Sequence, residues 1–142
     1  MISVRLPNNA VIKITYRWQI IDLFIPRSVY FTLKDKIYIS NREPLEALPL
    51  PILIHENRHT EQQKAYGLCY FLFKYFTSKK FRLKMEAEAF ALQIKSITSV
   101  GERKAILHNA ATWLSGKQYF WCASYEEAKN AILYRCPSTL FL

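Results

Sequence analysis

The chain has 142 residues, a formal net charge of +9, 51% hydrophobic and 15% aromatic content, and only three glycines. That length fits a single domain over residues 1–142 with room for a real core, and the composition excludes a disordered adaptor, a repeat array or a low-complexity linker. Three cysteines, Cys69, Cys122 and Cys136, have no short paired spacing, which excludes a disulfide framework and a cysteine zinc site and leaves buried or half-buried thiols.

The N-terminus, MISVRLPNNAVIKITYRW, has no uninterrupted apolar run and no small-residue cleavage site, so no signal peptide is expected. The apolar stretch GLCYFLF falls far short of the ~18–20 residues a membrane span needs. The expectation is a cytoplasmic protein with no membrane insertion. From Val11 to Ile20 the even positions Ile12, Ile14, Tyr16, Trp18 and Ile20 are apolar and those between are polar, the period of a half-buried strand. VYFTLKDKIYIS follows as a hairpin turning at Lys34-Asp35-Lys36. Three prolines in NREPLEALPLP then end the sheet and place Pro51 near the first turn of a helix, where a missing N–H costs nothing.

That helix carries His55-Glu56-x-x-His59. Residues i and i+4 lie one above the other, so both imidazoles reach one metal ion, while Glu56 is rotated by about 100° and can act on water without being a ligand. Asn57 and Arg58 are read as solvent-side. Gln62 and Ala65 stand where a metzincin needs Gly and His, so that branch is excluded. Next, residues 74–84, KYFTSKKFRLK, hold five basic residues and no acid. Such a run attracts nucleic acid, acidic lipid or an acidic protein, or serves as a solvated helix–helix connection.

A second helix is predicted from Ser78, its N-cap, through SKKFRLKMEAEAFALQIKSITS. At about 100° per residue Glu88 falls between Lys84 and Lys95 and reads as solvated, paired with Lys84. Glu86 falls beside Phe90, Gln93 and Ile97 on the stripe that turns inward. A buried carboxylate needs a cation, and a metal on His55 and His59 would be that cation. Two other arrangements stay open, a Glu86 paired with an arginine or lysine, and a three-histidine site completed by His108. Ala87, Ala89 and Ala91 allow close approach of the two helices. The last helix opens with a capping box, Ser124 to Glu127.

HENRHTEQ followed by RLKMEAEAFALQ resembles the gluzincin branch of the zinc metallopeptidases, and most of all small phage and bacterial members with HExxHxxQ and a downstream ExEA. The resemblance runs from about Tyr30 to Gln93. It implies a zincin-like α+β domain, a small N-terminal antiparallel sheet followed by about four helices. It implies Zn2+ on His55, His59 and Glu86, Glu56 as general base, Gln62 supporting a ligand, and a peptide or protein substrate pairing along a strand near Ile37–Ser40. Related gluzincins often carry an Asp four residues after the ligand glutamate, where this chain has Phe90. The oxyanion donor in such a peptidase is sought in LSGKQYFWCAS, where Tyr119 is the candidate and packing beside Trp113, Phe120 and Trp121 is its other reading. The competing function is a zinc-containing, non-catalytic binding or virion-structural protein that contacts nucleic acid through the Lys74–Lys84 run.

Overall fold

A computed structural model of the chain describes residues 1–17, 29–44 and 48–142. Four strands form one sheet in the order β1-β2-β4-β3: β1 (Ile2–Arg5), β2 (Val11–Tyr16), β3 (Phe31–Leu33) and β4 (Lys36–Ile39). β1 pairs antiparallel with β2, and β3 with β4, but β2 and β4 run parallel. The sheet is therefore mixed, not antiparallel as expected. The hairpin turns where expected, with Lys34 at a φ of 57°.

β2 ends at Tyr16, short of the expected Ile20, although the Arg17 N–H still reaches the Ile39 carbonyl at 2.9 Å. Residues 18–20 lie outside the described residues. The alternation holds where it can be read, since Ile12 and Ile14 are buried and pack with Ile37, Ile39, Leu48 and Leu53 into the core under the sheet. β1 escapes a sequence reading because its four residues are only half-buried on one side and its turn has no strong hairpin dipeptide.

Five α-helices follow among the described residues: α1 (Leu50–Tyr66), α2 (Leu68–Thr77), α3 (Lys79–Lys95), α4 (Val100–Leu114) and α5 (Tyr125–Leu133). Pro51 sits in the first turn of α1, and Ser78 caps α3 by accepting from the Phe81 N–H at 3.2 Å. The Ser124–Glu127 capping box is formed at the start of α5. The helix beyond the expected number is α2. Gly67, at a φ of 80°, and Ser78 cut it off from its neighbours, so part of the supposed helix–helix connection is itself helical.

α3 is the central helix, in contact with α1, α2, α4 and α5. Its Ala87, Phe90 and Ile94 join Leu107, Ala111, Leu114 and Ile132 in a second core. Small side chains at Ala87, Ala89 and Ala91, all buried, let so many neighbours approach one helix. Cys122 is buried and Cys136 half-buried, but Cys69 is exposed, against expectation. No helix among the described residues is long and apolar enough to cross a membrane.

Candidate metal centre

α1 lies between β3 and α3, so its middle is covered from both sides. Eight of its residues are buried and only one of them, Leu53, is apolar; the others are His55, Glu56, Asn57, His59, Thr60, Gln62 and Gln63. Burying this many polar groups costs free energy unless each finds a partner. An arrangement that unfavourable for packing alone points to chemistry. Asn57, expected at the surface, is 7% exposed and donates to Glu61 at 3.2 Å.

The two histidines present Nε2 atoms 3.2 Å apart. Glu86 enters from α3, placing Oε2 3.5 Å from the Nε2 of His55 and Oε1 3.4 Å from the Nε2 of His59. Ligands bound at about 2.0–2.1 Å on a tetrahedron stand about 3.3–3.4 Å from one another. The Nε2–Nε2 separation lies near that edge length, and Glu86 approaches each ring at a similar distance through a different carboxylate oxygen. Glu86 is 2% exposed, and its Oε2 and the Nδ1 of His55 have no hydrogen-bond partner among the described residues. Two imidazoles and a buried carboxylate with an orphaned oxygen fit a divalent metal ion; these three residues form such a group.

His59 is oriented from outside the cluster. Its Nδ1 donates to Gln62 Oε1 at 2.9 Å, and the Gln62 amide is fixed because its Nε2 donates to the Met85 carbonyl at 3.0 Å and to Glu88 Oε2 at 3.1 Å. A proton held on Nδ1 leaves the Nε2 lone pair for the metal. Glu88 is anchored in turn by the Arg58 Nη2, 3.0 Å away. This corrects the expectation for Glu88, which belongs to the outer support of the site and not to a lysine-paired surface face. Sequence geometry put Glu88 beside Lys84 on its own helix but had no means of seeing Arg58 and Gln62 across the α1–α3 contact.

His55 has no such support. The Phe90 ring lies edge-on to it with centroids 4.4 Å apart, at the position where a carboxylate partner was sought. His55 is thus held by packing, and its Nδ1 finds no partner among the described residues.

The bare cluster holds a proton. Burial disfavours a charged His59, yet the Glu86 carboxylate outweighs burial and, with Glu56 and Gln62, pushes the ring up to about 9. Burial likewise opposes the Glu86 charge, and His59 and His55 together hold that carboxyl far below its usual range. Proton and metal compete for the same nitrogen.

Glu56 is kept out of this cluster. The Thr32 hydroxyl on β3 donates to its Oε2 at 2.6 Å, and Glu56 lines a cavity of about 600 Å3 together with His55, His59 and Glu86. Tyr119 lines the same cavity, and burial and then the Glu86 charge raise its phenol well above 10, so it remains a donor. Tyr75 was missed in the sequence. Its hydroxyl donates to Glu86 Oε1, and burial followed by Glu86 raises it too. A helical reading of residues 68–77 would have found it, since Tyr75 shares the inward arc with Phe71. Arg82, which lines the same cavity, donates to the Tyr75 and Tyr119 carbonyls. It is buried, so the basic run is not one continuous solvated patch.

No family model matches the chain, and neither does any curated protein or solved structure. His108 is not part of it: its Nδ1 meets the Tyr125 hydroxyl at 2.8 Å on an exposed face. Ile37–Ser40 does not form the cleft edge either, because β4 is flanked by β2 and β3; the strand along the cavity is β3. Gln63 already occupies part of that edge, donating to the Thr32 carbonyl at 2.8 Å and accepting from the Lys34 N–H at 2.7 Å.

The outer support can be tested directly. Gln62→Ala removes the acceptor for His59 Nδ1 and should weaken metal affinity about 10–100-fold in competition with a chromophoric chelator. Glu88→Ala should weaken it less, since Met85 still holds the Gln62 amide. No change in either variant would return Gln62 and Glu88 to a purely structural role.

Proposed function

We propose that the protein is a zinc-dependent peptidase of zincin-like, gluzincin type, with His55, His59 and Glu86 holding the ion. The observation behind this reading is the convergence of two imidazoles and one buried carboxylate, with ligand atoms within 4.8 Å of one another, while Glu56 stands outside the cluster but on the same cavity. The donor set of two imidazoles and a carboxylate, leaving one position open, is that of catalytic zinc and not of a closed structural site. Zinc at such a centre supplies Lewis acidity, which acidifies water and polarises a carbonyl.

The chain's own groups supply the rest. Glu56, steadied by Thr32, accepts the proton of the attacking water and delivers it to the leaving amine. Tyr75 orients the Glu86 carboxylate through its hydroxyl, while Tyr119, a phenol that stays protonated, is the donor proposed for the oxyanion. Phe71 and Phe90, both buried, give the cavity apolar walls that limit the water around the reacting groups.

Purified protein should carry about one zinc ion per chain. Dialysis against a chelator should abolish cleavage of a generic unfolded protein substrate, and added zinc should restore it. Failure to take up zinc at neutral pH would remove the metal centre. Stoichiometric zinc with no cleavage of any peptide would favour the non-catalytic zinc protein.

A further inference from the structure

α2 buries only Phe71, although eight of its ten residues are apolar or aromatic. At about 100° per residue Leu68, Phe71, Leu72 and Tyr75 share the arc that turns inward. Cys69, Tyr70, Phe73, Phe76 and Thr77 share the opposite arc, and all five are exposed, Phe73 and Phe76 each at 64%. A helix apolar on both faces is normally covered on both. Here the outer face meets solvent.

That face continues onto the turn after the 3-10 segment Lys117–Tyr119. Phe120 and Trp121 are 54% and 61% exposed, and the Phe120 ring lies 6.5 Å from that of Phe76. Both residues have positive φ, 55° and 46°, which bulky side chains rarely adopt. The turn is locked there by the Trp121 N–H on the Gly116 carbonyl at 2.9 Å and the Cys122 N–H on the Leu114 carbonyl at 3.2 Å. Strained backbone thus holds two aromatic rings in solvent, that of Phe120 beside Phe76, and such strain gathers at functional surfaces.

On the other flank, Lys74, Lys80, Lys84 and Arg135 line a shallow depression with Tyr70 and Ser78, and no carboxylate lines it among the described residues. Tyr70 joins the two surfaces, with the Lys74 Nζ 5.9 Å from its ring centroid. Lys79 and Lys117, both exposed, add to the positive border.

We infer that this face seats the protein on an anionic lipid bilayer. Phe73, Phe76, Phe120 and Trp121 enter the boundary between headgroups and acyl chains, and the cations of the depression meet lipid phosphates. Exposed rings bordered by cations, without acids, match the two requirements of interfacial binding, apolar burial and attraction to anionic lipid. A second copy docking through this same face brings no carboxylate of the depression to meet those cations, since none of the described residues that line it is acidic. Phe73 and Phe76 project from a helix ridge, whereas single-stranded nucleic acid stacks its bases along a groove. Phe76 and Phe120 also line the cavity of the metal centre, so its rim would lie at the membrane plane. The inference stands whether or not the centre cleaves peptides.

The test is co-sedimentation of the full chain with vesicles of phosphatidylcholine alone and with about one third phosphatidylglycerol. Binding should be at least about tenfold tighter to the anionic vesicles and should weaken as salt shortens the screening length. Phe73→Ser combined with Phe76→Ser should lower partition by more than about tenfold at an unchanged melting temperature, because both rings are exposed. Lys80→Ala and Lys84→Ala should each cost about fivefold. Tryptophan emission should shift to the blue on binding, and the shift should shrink in Trp121→Phe. Absence of anionic preference, or undiminished binding by the double phenylalanine variant, overturns the inference. So does a dimer in solution that the double variant abolishes, which assigns the face to a second copy, or oligonucleotide binding without vesicle binding, which assigns it to nucleic acid.

Discussion

Replacing Glu56 by Gln should leave about one zinc per chain in place and the melting temperature near that of the wild type, while peptide cleavage falls about 10²–10⁴-fold. The substitution keeps the shape and a side-chain oxygen to accept from Thr32, whose hydroxyl lies 2.6 Å from the carboxylate. What it removes is the capacity to take up a proton. Glu56 lies outside the group of three residues that could hold the ion, so the metal should not follow the charge. Zinc content by atomic absorption and cleavage rate on the same preparation separate the outcomes. Unchanged cleavage would eliminate Glu56 as the base, and lost zinc would make it a ligand.

Glu86→Gln should do the reverse, emptying the site first. Loss of a direct ligand should exceed the 10–100-fold effect of an outer partner. The metal-free protein gives a second, independent readout. His59 is raised from 6.5 to about 9, so its contribution is complete below pH 6.5 and is lost as pH rises through about 9. Glu86 is lowered from 4.5, so its contribution is complete above pH 4.5 and is lost as pH falls toward its depressed folded value. The chelated wild type should therefore be most stabilised by this pair between pH 4.5 and 6.5. Along the alkaline limb the melting temperature of the chelated wild type should fall as His59 loses its proton. In Glu86→Gln that limb should flatten. Zinc should reverse its sign in the wild type, since the ion needs His59 deprotonated and so stabilises more as pH rises. Parallel melting curves for wild type and variant under chelation would contradict the buried His59–Glu86 pairing.

Much of the centre was legible in the sequence because helical geometry carries it. The i, i+4 spacing puts His55 and His59 on one face, and the stripe of Phe90, Gln93 and Ile97 turns Glu86 inward, as found. Readings that failed concern contacts between elements. Glu88 is explained by Arg58 and Gln62 on another helix, and Tyr75 reaches Glu86 across the α2–α3 turn. The parallel β2–β4 pairing is equally hidden, because alternation marks a strand but does not give its direction. α2 was absorbed into a connection because its basic end drew a charge argument and its inward arc is short. Phe90 was noticed as a departure, and its physical result, a His55 Nδ1 without a partner among the described residues, became visible only with the ring in place.

Gln63 has a consequence for how the protein behaves in concentrated solution. An open strand edge is a template on which another chain can grow, and proteins guard such edges with charges, bulges or covering elements. At β3 the cover is a single carboxamide that imitates a passing strand, offering its N–H to the Thr32 carbonyl and its oxygen to the Lys34 N–H. Being a side chain, it ends there and passes no free edge onward. The sheet is thereby closed to further growth along this stretch of β3, and the chain is protected at that point from edge-to-edge aggregation.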